Sequence, residues 1–134
     1  MKTYFHHVLR NDVVSLQECF EALEASALQA ALNPRQSNAL FLVLDEMISN
    51  VIKFAGRDNV RVEVDLEFDG SVLTVHIADD APAFNPWNVS PPPEAGPLDA
   101  LPIGGRGIHI VRQATATREH THYLGRNHLL MTIV

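Results

Sequence analysis

The segment from Val60 to Asp79 constrains this chain more than any other. Val60, Val62, Val64, Leu66 and Phe68 alternate with Arg61, Glu63, Asp65 and Glu67, and residues two apart on a strand share a face. One face is apolar and the other wet, as in an antiparallel sheet covered on one side only. Asp69-Gly70 reads as a two-residue hairpin turn, after which 71–79 (SVLTVHIAD) returns antiparallel. The rest of the chain must supply a layer that covers the apolar face.

Helices provide that layer. After a short strand at 3–9 (TYFHHVL), Asn11 or Asp12 can cap a helix running to about Leu32, with apolar residues at Val13, Leu16, Phe20, Leu23 and Leu28. Asn33-Pro34 ends it, because the residue before a proline avoids helical angles. Pro34 opens a second helix that runs to about Ala55 and is stopped by Gly56. A third helix is expected at about 105–116, followed by a hairpin of 117–124 and 127–134 turning at Gly125-Arg126. The order β-α-α-β-β-loop-α-β-β predicts a two-layer α+β sandwich with three helices on one face of the sheet. There are no internal repeats.

Composition narrows the function. At 134 residues the chain fits one domain, 1–134, and 46% apolar residues can bury a core. Sixteen acidic against 10 basic side chains leave a formal charge of −6, which argues against a nucleic-acid clamp. The single cysteine, Cys19, excludes a disulfide framework and a thiolate zinc site, and is expected in the core. No apolar run approaches the roughly 20 residues of a membrane span, and the opening MKTYFHHVLR does not read as a signal peptide. A cytoplasmic protein is therefore expected. Seven of the 8 prolines fall between Pro82 and Pro102.

Three positions break the pattern of a plain core. On the second helix Glu46, Asn50, Lys53 and Arg57 form a narrow polar stripe among Leu40, Phe41, Val43, Leu44, Met47, Ile48, Val51, Ile52 and Phe54. The stripe is either a wet edge or the lining of a cleft. Asp79 shares the inward face of Leu73, Val75 and Ile77, where an unpaired carboxylate is unfavourable; it either closes the following turn or receives a ligand amine. Gly104-Gly105-Arg106-Gly107 opens a helix, whose N-terminus suits an anion. It matches neither the dinucleotide fingerprint nor the P-loop, and a lid hinge would have the same composition. Taken together, the three make a nucleotide site: Asn50 offers a hard oxygen to Mg²⁺, Asp79 can hold the exocyclic amine of adenine, and Lys53 with the 104–107 nest can hold phosphate.

Across almost its whole length the chain resembles the GHKL superfamily of ATP-binding domains, and most closely the anti-sigma regulatory serine/threonine kinases. LDEMISNVIKFAG resembles the family's N box, IADDAPAFNP its adenine-binding first glycine box, PIGGRGIHIV its second glycine box, and GRNHLLMTIV its last strand. The resemblance implies a Bergerat (histidine-kinase-like ATPase) fold with a mixed, mostly antiparallel sheet. It implies Glu46 as the catalytic residue activating an attacking hydroxyl and Asn50 as the Mg²⁺ ligand. An ATP site would comprise Asn50, Lys53, Asp79, Ala81, Phe84, Gly104, Gly105, Arg106 and Gly107, and residues 81–103 would be the ATP lid. Partner switching follows from the same resemblance: a bacterial kinase binds a sigma factor, phosphorylates a small STAS-type antagonist, regulates transcription, and often forms a homodimer.

Two positions depart from the anti-sigma pattern. Ala81 stands at the first glycine of its box, and Phe54, preceded by Lys53, replaces the usual histidine in a manner that resembles sensor histidine kinases. A sensor kinase is not expected, since the length leaves no room for a phosphoacceptor hairpin. The alternative is a non-catalytic ATP-binding partner-switch module that sequesters a regulatory protein without phosphorylating it. The remaining candidates read as ordinary structure. His120 and His122 share a strand face, but with His6-His7 they do not make the four ligands of a closed zinc site. Asp45 and Glu46 point about 100° apart on their helix and cannot work as a glycosidase pair. No Gly-x-Ser-x-Gly is present.

Overall fold

The computed structural model describes residues 2–88 and 103–134, except for the side chains of 103–106. Strand β1 (Thr3–Arg10) leads into helices α1 (Val13–Glu24), α2 (Ala27–Ala31) and α3 (Pro34–Phe54), then β2 (Arg61–Phe68) and β3 (Leu73–Asp79). A 3₁₀ turn at Pro86–Asn88 follows, then α4 (Ile103–Ala114), β4 (Thr117–Tyr123) and β5 (Arg126–Ile133). The sheet order is β1-β2-β3-β5-β4. Every described strand pair is antiparallel, where the resemblance implied a mixed sheet. This is the α+β sandwich expected from the alternation.

The inward face carries the core. Val62, Val64, Leu66 and Phe68 of β2, Leu73, Val75 and Ile77 of β3, and Leu129, Met131 and Ile133 of β5 are buried against Leu40, Val43, Leu44, Met47 and Ile48 of α3. Each such aliphatic side chain contributes about 1.5–3 kcal/mol by leaving water. Cys19 is fully buried, and burial pushes its thiol up to about 11, so at neutral pH it is a small apolar side chain. Among the described residues no helix is long and apolar enough to cross a membrane.

Local chemistry explains where the elements differ from expectation. The first helix breaks in two because Ser26 is extended, accepts the Gln29 N–H and donates to the Leu23 carbonyl, ending α1 and capping α2. The described helices therefore number four rather than three. Asn33 and Gln36 form a capping box ahead of Pro34, and the Gln36 amide reaches the Ser71 carbonyl, fastening α3 to the β2–β3 connection. That connection turns at Gly70-Ser71, one residue later than expected: the Asp69 N–H donates to the Val72 carbonyl, Asp69 Oδ1 accepts both the Ser71 and Val72 N–H groups, and Phe68 pairs with Leu73.

The last hairpin turns at Leu124-Gly125, both with positive φ, instead of Gly125-Arg126. Moving the turn by one residue moves each cross-strand partner by two, so every side chain keeps its face. Helix α3 ends at Phe54 with Gly56 at φ 77. Arg57 therefore leaves the polar stripe; its guanidinium donates to the Asp80 carbonyl. The glycines of 104–107 lie inside the first turns of α4 rather than ahead of it. Within the expected lid, residues 89–102 lie outside the described residues.

Candidate functional site

The end of β3, the start of β5, the C-terminal half of α3 and the segment after β3 enclose one cleft. Its lining includes Met47, Asn50, Val51 and Phe54 from α3, Asp79 from β3, Ala81 and Phe84 from the following segment, and Asn127 and Leu129 from β5. About 450 Å³ of space, part of it open solvent, lies between them. A mostly apolar lining with a few convergent polar groups suits a flat heterocycle.

Asp79 is the polar centre of the cleft. It is only 4% exposed. Its Oδ1 accepts the Ala81 N–H at 3.0 Å and the Asn127 Nδ2–H at 3.0 Å. Both bonds fall on one oxygen, and Oδ2 is left without a partner among the described residues. Burial holds the carboxyl above its usual range, while the Asn127 amide and the Ala81 N–H pull it back down. A buried acceptor with one oxygen satisfied and one spare matches a ligand N–H donor such as an exocyclic amine.

Glu46 lies one helical turn before Asn50 and is not part of the cleft's lining. Its carboxylate packs against α4: a methyl added at Gly107 would stand 1.9 Å from Glu46 Oε2. A side chain at Gly107 would push the Glu46 carboxylate aside, so glycine here matters for where that carboxylate sits rather than for backbone angle. Burial raises the Glu46 carboxyl above its usual range, Asp45 raises it further, and Lys53 opposes both. A carboxylate shifted upward in this way is a better proton acceptor than an ordinary one.

The structure thus gathers Asn50, Asp79, Ala81 and Phe84 in one cleft, with Glu46 and Gly107 beside it. Ala81 is buried and Phe84 is half exposed. Lys53 is exposed in the last turn of α3 and does not line the cleft. Gly104, Gly105 and Arg106 belong to the backbone of α4, and the Arg106 side chain lies outside the described residues. Among the described residues no group of three or more His, Cys, Asp or Glu is arranged to hold a metal.

Sequence reasoning missed Asn127, which is 4% exposed. It stands opposite Asp79 across β3 and β5. Its Nδ2 donates to Asp79 Oδ1 and to the carbonyls of Ala81 and Pro82 at 3.2 and 3.0 Å. Its Oδ1 accepts the Phe84 N–H at 3.0 Å and bonds His120 Nε2 at 2.9 Å. Since that oxygen already accepts from a backbone amide, His120 must carry its proton on Nε2. The signal was available: Asn127 is the polar member of the inward series with Leu129, Met131 and Ile133, just as Asp79 is on β3.

A helix layer over an antiparallel sheet, with a buried acidic acceptor at one strand end and a helical amide beside it, defines a nucleotide-binding α+β domain. The chain belongs to the histidine kinase-like ATPase domain family, which it matches over residues 9–133, and ATP binding comes with that membership. It is also similar to the serine/threonine-protein kinase BtrW of Bordetella bronchiseptica, at 29% identity over 112 residues, covering 82% of this chain and 79% of the relative.

Proposed function

We propose that this chain is a Mg-ATP-dependent serine/threonine protein kinase that acts as an anti-sigma regulatory factor in partner switching, with a small STAS-type antagonist as its phosphoacceptor. The observation that carries the reading is the Glu46 carboxylate seated against Gly107, one turn from Asn50 and beside the cleft that holds Asp79. The similarity to a protein named as a serine/threonine kinase supports it.

Adenine would enter the cleft with its amine on Asp79 Oδ2 and its ring against Met47, Val51, Ala81 and Phe84. The first turn of α4 would offer its N–H groups to the phosphates, with Lys53 and Arg106 as the cations expected to serve them. Asn50 offers the cleft's amide oxygen to Mg²⁺, which supplies charge neutralisation when bound. Glu46 takes the proton of the acceptor hydroxyl as its oxygen bonds to the γ-phosphorus, and the bond to the β-phosphate oxygen breaks to release ADP.

Incubation with Mg-ATP and a STAS-type acceptor, read by mass spectrometry, tests the proposal. Glu46→Gln should bind ATP within about threefold of the unmodified protein and lose transfer by about 10²–10⁴-fold. Undiminished transfer by that variant overturns the assignment of Glu46. Nucleotide-dependent partner binding without ADP formation identifies the non-catalytic module instead; the buried Ala81 methyl at the edge of the cleft is the observation that favours that outcome.

A further inference from the structure

We infer that Asn127 is a positioning residue that sets the purine selectivity of the cleft, presenting Asp79 to the ligand and coupling the 81–84 segment to the β4–β5 hairpin. The inference rests on the ATP-binding reading above and concerns how selectivity is produced at that site.

The carboxamide joins three elements. Toward β3 it donates to Asp79 Oδ1, the same oxygen that accepts the Ala81 N–H. Toward the segment after β3 it donates to the Ala81 and Pro82 carbonyls and accepts the Phe84 N–H. Toward β4 it accepts from His120. A carboxamide has two donor hydrogens and one oxygen with two lone pairs. Five contacts saturate it, and no atom remains to bind ligand. Asn127 must therefore act through what it holds.

Two things follow for the cleft. With Oδ1 engaged from two sides, the plane of the Asp79 carboxylate cannot rotate, and Oδ2 stays available in one direction. A freely rotating carboxylate could turn either oxygen to a ligand, or recruit water to meet a ligand carbonyl. A held one accepts a donor and repels an acceptor, which is the basis of hydrogen-bond selectivity in buried sites. The second consequence concerns Ala81, Pro82 and Phe84, which line the cleft. Three of the carboxamide's contacts go to their backbone, so the width of the slot for the ring is set from β5.

The test compares ATP with inosine triphosphate, which carries a carbonyl in place of the 6-amino group. Binding is measured by calorimetry on the whole chain. The unmodified protein should prefer ATP by about a hundredfold or more. Asn127→Leu keeps the volume and removes every contact; Asn127→Ala removes every contact without placing a second carboxylate beside Asp79. In both, the preference should collapse to within about threefold, chiefly by weaker ATP binding, while the residual triphosphate affinity persists. A merely structural role would lower the unfolding temperature and leave the ratio intact. Asn127→Ala is smaller and remains available if Asn127→Leu does not fold. Retention of the ATP preference in either folded variant overturns the inference alone. Failure of the unmodified protein to bind either nucleotide overturns the ATP-binding reading and this inference with it.

Discussion

The two faces of the central strands carry carboxylates in very different settings. On the inward face Asp79 is buried, its donors come from the protein, and its carboxyl sits above the usual range. On the outward face Glu63 lies between Arg61 and Arg126 at 2.8 and 3.2 Å, and Asp65 bonds His6 Nδ1 at 2.6 Å with both side chains well exposed. His76 stands near Asp65 and shares a 3.1 Å hydrogen bond with His128, whose ring is nearly parallel to its own. Outward partners can exchange with water, so each is worth little. Inward partners have no such substitute, and loss of one leaves a polar atom stranded. Density of charge is thus a poor guide to the site in this protein; a single buried carboxylate with a spare oxygen is a better one.

Three substitutions probe that contrast, in descending order of effect. Asp79→Asn should abolish measurable ATP binding, because an amide N–H would face the ligand amine where an oxygen now stands. The fold should survive: the new amide oxygen can accept both the Ala81 and Asn127 donations, and no charge is buried. Calorimetry against ATP, together with thermal unfolding, checks both halves, and full ATP affinity would remove Asp79 from the site.

Gly107→Ala should come next. Its methyl falls on the Glu46 carboxylate; if Glu46 is the proposed base, its displacement by about 1 Å should lower transfer by about a hundredfold. ATP affinity should change far less than phosphoryl transfer. Equal loss of both would mean that Gly107 serves nucleotide binding and not Glu46.

The outward face should respond least. Burial holds His76 below the usual histidine range, nearby His128 and Arg126 act in the same direction, and Asp65 and Glu63 oppose them. The unfolded chain therefore takes up its proton first as pH falls through about 6.5, so this contribution to stability is complete above that value and declines below it. With a third of the side chain exposed, the fall in Tm between pH 7.5 and 5.5 assignable to His76 should be only about 1–3 °C. The difference between the unmodified protein and His76→Gln measures it, and parallel pH curves would discard it.

Much of this arrangement is legible in the amino-acid sequence. Strict alternation places β2, the same parity turns Asp79 inward, and helical spacing puts Glu46 and Asn50 one turn apart. The misplacements share a cause. Ser26, Asp69 and the Leu124-Gly125 turn are decided by side-chain to backbone hydrogen bonds and local angles that compete with regular structure by about 1 kcal/mol or less, too little for a composition pattern to reveal. Arg57 left its stripe because Gly56 ended the helix first, and its guanidinium then found Asp80.

By itself, the sequence determined the layer architecture, the buried face of each strand and the inward acid, because these follow from periodicities of two and 3.6 residues that a chain carries within each segment. Only the tertiary structure decided that Asn127 faces Asp79, that Glu46 meets Gly107, and that Lys53 is not part of the cleft's lining. Each of these joins or separates residues far apart in the chain. Such pairings depend on strand order and helix packing, where no local pattern records which residue will stand opposite which.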